Sequence, residues 1–492
     1  VTPSRTLLSV VIPLGIACAA YAQDPARPFI PIDLPQMGEP ADSALSPAEE
    51  RRIGKEIVGQ LYSFQYIDED PELSAYVAQL GWRLASAANM GDTALDFLVI
   101  ADGRINAFAL PGGIIGMNRG LLIAAQSESE VAGVMGHELA HVSQRHIART
   151  QEGTQAASLA TWAAVLAAIL AGSADSDVVI GALSLGQAIN YQRQVNYTRS
   201  HELEADRIGI QTLARAGYDP HGMASFFSTL EQQSRLYGTG LPEFLRTHPL
   251  NTRRVAEARA RAAEMPEVEV VDSLDFRLMQ ARARVLSLGR PGEGLDYFGQ
   301  LLRAGQDTPA HRYGMALAQM RAGQAEAALE TLAPAREAYP KNVHLMLAEG
   351  EALRLGNRPG DAAAVFDRAL TLFPRYTPAI FAQASILLDL DRPGEARQVL
   401  LSHEQALGTQ VQTYKLLAEA ARAQGDLAES AFQMANYLFR RGDAGGALGQ
   451  LDAGLRLSNL QGQERARLQA KREEVRASLP RNWRPPPAQR AP

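Results

Sequence analysis

Apolar positions between residues 128 and 142 recur at helical spacing: Val131, Val134, Met135, Leu139 and Val142 fall on one side of a 3.6-residue period. Ser127 precedes them with Glu130 three residues on, the spacing of a reciprocal N-terminal cap, and no Pro interrupts the run. This predicts an amphipathic helix whose core-facing side carries any chemistry it has. Upstream the pattern changes. Residues 97–100 and 105–110 are rich in β-formers and are separated by Asp102-Gly103, so they are expected to pair as a hairpin.

Beyond residue 275 a longer period takes over. Gly289, Gly323, Asn357, Asp391 and Gly425 recur every 34 residues, each a turn former between two amphipathic stretches. That is the tetratricopeptide period. The clearest unit begins at Val343, with Gly350, Leu353, Ala362, Phe366, Ala369 and Pro374 at the small, large and terminating positions. Ala328, Ala335 and Pro340 mark its predecessor, and Ala396 and Leu400 its successor. Residues 444–475 continue as helix and are expected to cap the array. Met265-Pro266 and a Glu/Val-rich run break the pattern before it, which places a linker at 266–274 and the solenoid at 275–477. Residues 478–492, with Pro485-Pro-Pro487, are expected to be a disordered tail.

Two further stretches are apolar without reaching the roughly 20 residues of a spanning helix. Residues 156–172 contain Trp162, Val165, Leu166, Ile169 and Leu170 with no charge, and 178–188 are nearly as apolar. The expected forms are a buried helical pair, a lid, or a hairpin making peripheral membrane contact through 156–188. At the N-terminus Arg5, an apolar run over 7–17 and Ala20-Tyr-Ala22 resemble a secretory signal over 1–22, followed by an extension over 23–44. Cys18, the only cysteine, leaves with that signal unless it is a lipidated end. A chain otherwise free of thiols suits an oxidising envelope compartment, the periplasm. At 492 residues, 46% of them hydrophobic, two or three domains are expected. The net charge of −6 is mild and gives no reason to expect nucleic acid as a partner.

The chemistry lies in two short motifs. Residues 137–141 read His-Glu-Leu-Ala-His, and on a helix His137 and His141 lie on one face about 6 Å apart along the axis, so both imidazoles can reach one ion. Glu138 stands where a carboxylate can take a proton from water on that ion. A catalytic zinc usually has three protein ligands. His146 follows too soon for the longer three-histidine motif and is read as a supporting residue. Residues 202–206 read Glu-Leu-Glu-Ala-Asp. They offer Glu202 as third ligand and, four residues on, Asp206 to orient a ligand imidazole through its free nitrogen. Glu204 lies about 200° round that helix and is the weaker candidate. His201 is expected at the surface.

These motifs, preceded by residues 106–113 (Asn-Ala-Phe-Ala-Leu-Pro-Gly-Gly) and followed by Thr247-His248-Pro249 and Arg254, resemble those of gluzincin metallopeptidases related to CAAX prenyl proteases and bacterial heat-shock membrane proteases. The resemblance covers residues 45–265. It implies a zincin-like domain with one zinc ion per chain held by His137, His141 and Glu202. It makes Glu138 the general base and places Asp206 behind a ligand. His248 either approaches the metal as an extra ligand or, with Arg254, stabilises the oxyanion. The edge of the small sheet, at Asn106, Ala107 and Phe108, is expected to bind substrate by strand addition. The expected fold is therefore mainly α: a peptidase with a small β-sheet, then an α-solenoid. A peptidase joined to such repeats is similar to envelope quality-control proteases of Gram-negative bacteria. That likeness implies unfolded or misassembled outer-membrane proteins, and the machinery that assembles them, as partners of the repeats. The alternative is an assembly factor whose repeats do the work while the protease stays shut.

Overall fold

The computed structural model describes residues 45–150, 199–237 and 243–479, apart from Asn89, Gly91, Asp92, Glu267 and Glu269. The expected signal, the extension over 23–44, the apolar stretches over 156–188 and all but the first two residues of the tail lie outside the described residues. No helix among those described is long and apolar enough to cross a membrane.

The fold begins with two capped helices. Ser46 and Asp70 precede α1 (Pro47–Ser63) and α2 (Pro71–Ala87), and their side chains accept from the amides of Glu49 and Leu73 at 3.3 and 3.0 Å. Proline follows each cap, where a missing N–H costs nothing.

The sheet corrects the expected hairpin. Its strands are β1 (Asp96–Ile100), β2 (Ala107–Leu110) and β3 (Ile114–Asn118), in the order β1-β3-β2. The antiparallel pair is β2 with β3, with Phe108 opposite Gly116, while β1 lies parallel to β3. The reversal is made at Gly112 and Gly113, whose φ values of 83° and 79° suit glycine, and not at Asp102-Gly103. Asp102 instead accepts from the Arg104 amide and side chain, and its carbonyl takes the amide of Gly120. The third strand, β3, follows directly on the Gly112-Gly113 reversal and lies beyond the two segments expected from the sequence. Ile105 lies outside the strands.

Helix α3 (Arg119–Ala124) leads to α4 (Glu128–Ser143), which carries the His-Glu-Leu-Ala-His motif. Ser127 caps α4 as expected, accepting from the Glu130 amide at 3.2 Å. Glu130 does not close the reciprocal bond. Its carboxylate accepts from the Gln126 amide at 2.8 Å and from the Ser225 hydroxyl at 2.5 Å. The expected single core-facing side is also too modest, because every residue from Glu128 to His141 is buried. The helix is enclosed by α2, β2, α6 (Arg199–Arg215) and α7 (Gly222–Tyr237), so each polar group on it needs a partner inside the protein.

Helices α4 and α6 approach unusually closely. A Cβ placed on Gly209 would stand 3.1 Å from His137 N and 3.2 Å from Gly136 C, and one on Gly136 would stand 3.3 Å from Gly209 O. Short helices α5 (His146–Thr150) and α8 (Glu243–Thr247), with α9 (Thr252–Ala263), complete the peptidase part.

The remaining chain is a solenoid of paired helices. First members of successive pairs begin at Pro309, Val343, Thr377 and Val411, 34 residues apart each time. Four of the five periodic turn formers adopt the left-handed conformation between paired helices: Gly323, Asn357, Asp391 and Gly425, at φ 75°, 58°, 56° and 81°. Gly289 marks its turn differently, donating its amide to Glu293 at 3.1 Å. Within the best unit Phe366 packs so closely over Gly350 that a Cβ there would lie 2.3 Å from its ring. Helices Ala444–Leu455 and Gly462–Ala477 close the array over Leu448, Leu451, Leu468 and Val475.

One apolar core runs from the peptidase helices into the first repeats, from Leu73 and Val131 to Tyr313 and Leu345. Arg282 pins the junction. Its Nε and Nη2 each donate to Asp70 at 2.8 Å, and Nη1 lies 2.8 Å from Glu72 and donates to the Tyr313 hydroxyl at 2.9 Å. His344 meets the other oxygen of Glu72 at 2.6 Å. Far along the solenoid the turn at Gly442 touches Gly59 of α1, and Arg441 pairs with Glu69. The repeats are thus fixed to the peptidase at two separate places.

Arg282→Met should cost roughly 3 kcal/mol in urea unfolding, since it strands two carboxylates in a largely enclosed junction. Burial alone would raise the Asp70 carboxyl, but Arg282 more than offsets it and the pKa is lowered. The stabilisation from this pair is therefore complete above about pH 4 and fades as pH falls through the lowered Asp70 value. Gly209→Val should force α6 away from α4 and lower stability by about 1–3 kcal/mol, read from the same unfolding curves. An unchanged midpoint would show that the helix contact is not tight.

Candidate metal centre

Four buried side chains converge. His137, His141, Glu202 and His248 each present one ligand atom, and all of these atoms lie within 4.8 Å of one another. The helical offset of four places the His137 and His141 Nε2 atoms 3.0 Å apart. Because Gly136 and Gly209 let the backbones touch, Glu202 reaches across from the first turn of α6. Its Oε2 stands 3.6 Å from His137 Nε2 and its Oε1 stands 3.5 Å from His141 Nε2. A tetrahedral ion with bonds of about 2.0–2.1 Å wants donor separations near 3.4 Å, so these three fit one.

The far nitrogens of both imidazoles are engaged. His137 Nδ1 lies 3.0 Å from Asp206 Oδ1, a contact short in distance but bent in angle. His141 Nδ1 lies 2.8 Å from Nδ1 of His146. With those positions engaged, each Nε2 can present its lone pair to an ion. Two lone pairs 3.0 Å apart repel unless a cation or a proton lies between them.

Asn251 caps α9 and accepts from the Arg254 amide at 3.0 Å, which sets Arg254 in the first turn. The guanidinium then grips Asp206 with two bonds, at 2.7 and 2.8 Å, and lies 2.7 Å from Glu202 Oε2. Its Nη1 also donates to the Pro249 carbonyl at 3.0 Å. Arg254 is only 2% exposed. The guanidinium thus stands against the two carboxylates.

His248 ends α8, its amide bonded to the Phe244 carbonyl at 2.8 Å and its ring stacked on Phe244 at 4.7 Å between centroids. Its Nδ1 lies 3.1 Å from Glu202 Oε1 and 3.3 Å from His137 Nε2. In this arrangement it occupies the fourth corner of the site. Glu138 is fully buried, and neither carboxylate oxygen has a hydrogen-bond partner among the described residues. The Ala109 amide and His248 Nε2, the latter 3.4 Å from Oε1, face it without aligning for a hydrogen bond.

Protonation follows from this enclosure. Burial pushes the His137 imidazole down, but Asp206 and Glu202 outweigh it and raise its pKa to about 9. Burial drives His141 well below its usual value, and His137 beside it adds to the effect. Burial raises Glu138, with His248 and His137 opposing. Burial would also raise Glu202, yet His248 and His137 hold it well below the carboxylate range. Asp206 is lowered against its own burial, chiefly by Arg254.

Of the residues expected at the sheet edge, Ala107 and Phe108 open the outer strand β2, which packs on α4, and Asn106 directly precedes it. All three are buried. His201, expected at the surface, is buried and stacks on His146 at 4.3 Å, outside the metal group. Gly136, Gly209 and Phe244 were missed. The one available signal was the glycine directly before His137.

Comparison with known proteins agrees with this site. The pattern of Peptidase family M48 matches residues 71–262. A Vibrio cholerae protein, provisionally named beta-barrel assembly-enhancing protease, is 34% identical over 430 residues, 87% of each chain. The beta-barrel assembly-enhancing protease of Escherichia coli K12 is 39% identical over 313 residues, 63% of this chain and 64% of its own. The protein of that name from Yersinia pestis is 31% identical over 479 residues, covering 96% and 97%. With its two histidines, downstream glutamate and buried Glu138 inside the matched segment, this chain belongs to the M48 metallopeptidases, in the group of the beta-barrel assembly-enhancing proteases.

Proposed function

We propose that the chain is a zinc metalloendopeptidase of the periplasm, with one ion held by His137, His141 and Glu202, that degrades misassembled outer-membrane β-barrel proteins and assists their assembly. The observation that carries this is the convergence of those three donors beside Glu138, a buried carboxylate with no hydrogen-bond partner among the described residues. Two imidazoles and a carboxylate, all buried, suit zinc.

When bound, a zinc ion held by His137, His141 and Glu202 would supply Lewis acidity for peptide hydrolysis. Glu138 takes the proton from the attacking water and passes it to the leaving amine, a task suited to a carboxyl whose pKa burial has raised. Asp206 orients His137, and Arg254 holds Asp206 and Glu202 in place. Among the described residues strand β2 pairs with β3 alone, and an extended substrate adds to its outer side near Asn106, Ala107 and Phe108. Asn106 Oδ1 is buried there without a partner among the described residues.

An unassembled β-barrel exposes extended segments with unpaired edges, which is the substrate form that strand addition accepts. The names of the relatives point to the same class. A tetratricopeptide array fixed to the peptidase presents a surface for captured chains or for the assembly machinery, and raises their concentration near the site. Peripheral membrane contact through 156–188 belongs to this reading.

The position of His248 favours a second reading, in which the repeats act as an assembly factor and the peptidase rests closed. His248 stands where the water or the carbonyl must enter.

Glu138→Gln should lower casein cleavage by about 10²–10⁴-fold while leaving one zinc per chain; full activity in that variant removes the general base from the account. His248→Ala should raise casein cleavage if the histidine gates the site, as its placement indicates. Loss of cleavage would instead mark it as holding the oxyanion.

A further inference from the structure

The break after α4 brings a histidine back onto the metal site. The helix ends at Ser143, and Arg145 then adopts φ 50°, a conformation that a long side chain seldom takes. Its guanidinium holds the break in place, donating to the Leu45 carbonyl at 2.8 Å and to Glu50 at 3.3 Å. On an unbroken helix His146 would point elsewhere. Here its ring meets that of His141 edge-on, centroids 4.9 Å apart, with the two Nδ1 atoms 2.8 Å apart. His146 Nε2 lies 3.2 Å from Glu204 Oε2, which also accepts from Arg149 at 3.2 Å.

We infer that His146 and Glu204 form a positioning chain that fixes His141 in the one tautomer able to bind the metal, an inference that rests on the metallopeptidase reading. The Nδ1 atoms of the two neutral rings share a single proton. If His146 carries it, the His141 proton sits on Nε2, the atom facing His137 and Glu202, and no lone pair remains for an ion. If His141 Nδ1 carries it, His141 Nε2 keeps its lone pair and His146 has its own proton on Nε2. An ionised carboxylate only accepts, so Glu204 selects that second arrangement. Glu204 thus does for His141, through one intervening ring, what Asp206 does directly for His137. The 200° offset, roughly, that turns Glu204 away from the ion is what carries it to the far side of His146. His201, stacked on His146 with only 10° between planes, steadies the ring.

The test is zinc affinity of the full chain by chelator competition, with thermal unfolding of the metal-free protein as a check on folding. His146→Phe keeps a ring against His201 but offers no lone pair, and should bind zinc about 10–100-fold more weakly. His146→Asn places a carbonyl oxygen where Nδ1 was and should restore most of the affinity. Glu204→Ala leaves folding least disturbed, because its side chain is 26% exposed. It should weaken zinc binding about 10-fold and, in nitrogen-15 spectra of the metal-free protein, should turn His141 from one tautomer to a mixture. Wild-type affinity in both the Phe and Ala variants, or an Asn variant as weak as Phe, would overturn the inference and leave the metallopeptidase intact. A wild-type chain that binds no zinc overturns both.

Discussion

Contact between the backbones of α4 and α6 at Gly136 and Gly209 is what the rest of the site depends on. It brings the first turn of one helix within reach of the last turns of the other, and it does so inside the core. The consequence is electrostatic. Glu138, Glu202 and Asp206 are all buried, and among the described residues one permanent cation, Arg254, is buried with them. Three carboxylates against one guanidinium leave two negative charges in a low-dielectric space, which is the charge of a divalent ion. Without the ion, protons must substitute, and the raised pKa of His137 is the sign of that demand. The same enclosure that makes the site costly to assemble makes it selective for a cation.

The second constraint is the junction between peptidase and repeats. A linker would be expected to let two domains move independently. Instead the apolar core is continuous from α2 and α4 into helices Leu274–Ser287 and Pro309–Arg321. Arg282 ties Asp70 and Glu72 of the peptidase to Tyr313 of the solenoid, and the turn at Gly442 meets α1 again further along. The repeats and the peptidase are therefore held in a fixed relation to one another.

The convergence of His137, His141 and Glu202 was legible because helical periodicity makes an offset of four residues a statement about geometry, and both motifs kept that offset. The solenoid was legible because its 34-residue period is carried by turn formers, four of which take the left-handed conformation that favours Gly, Asn and Asp. What escaped notice depends on contacts distant in sequence. The order of the strands turns on β3 pairing with both neighbours, and nothing local distinguishes the Gly112-Gly113 reversal from the Asp102-Gly103 loop. The fate of His146 turns on one left-handed arginine that bonds to Leu45 and Glu50, about a hundred residues earlier. The role of Arg254 could be read only once Asp206 was placed beside it.

Anomalous diffraction at the zinc edge from crystals of the purified chain tests the central claim most directly. The account predicts a single peak per chain, about 2.0–2.1 Å from His137 Nε2, His141 Nε2 and a Glu202 oxygen. A peak elsewhere, or none in crystals grown with zinc, would contradict it.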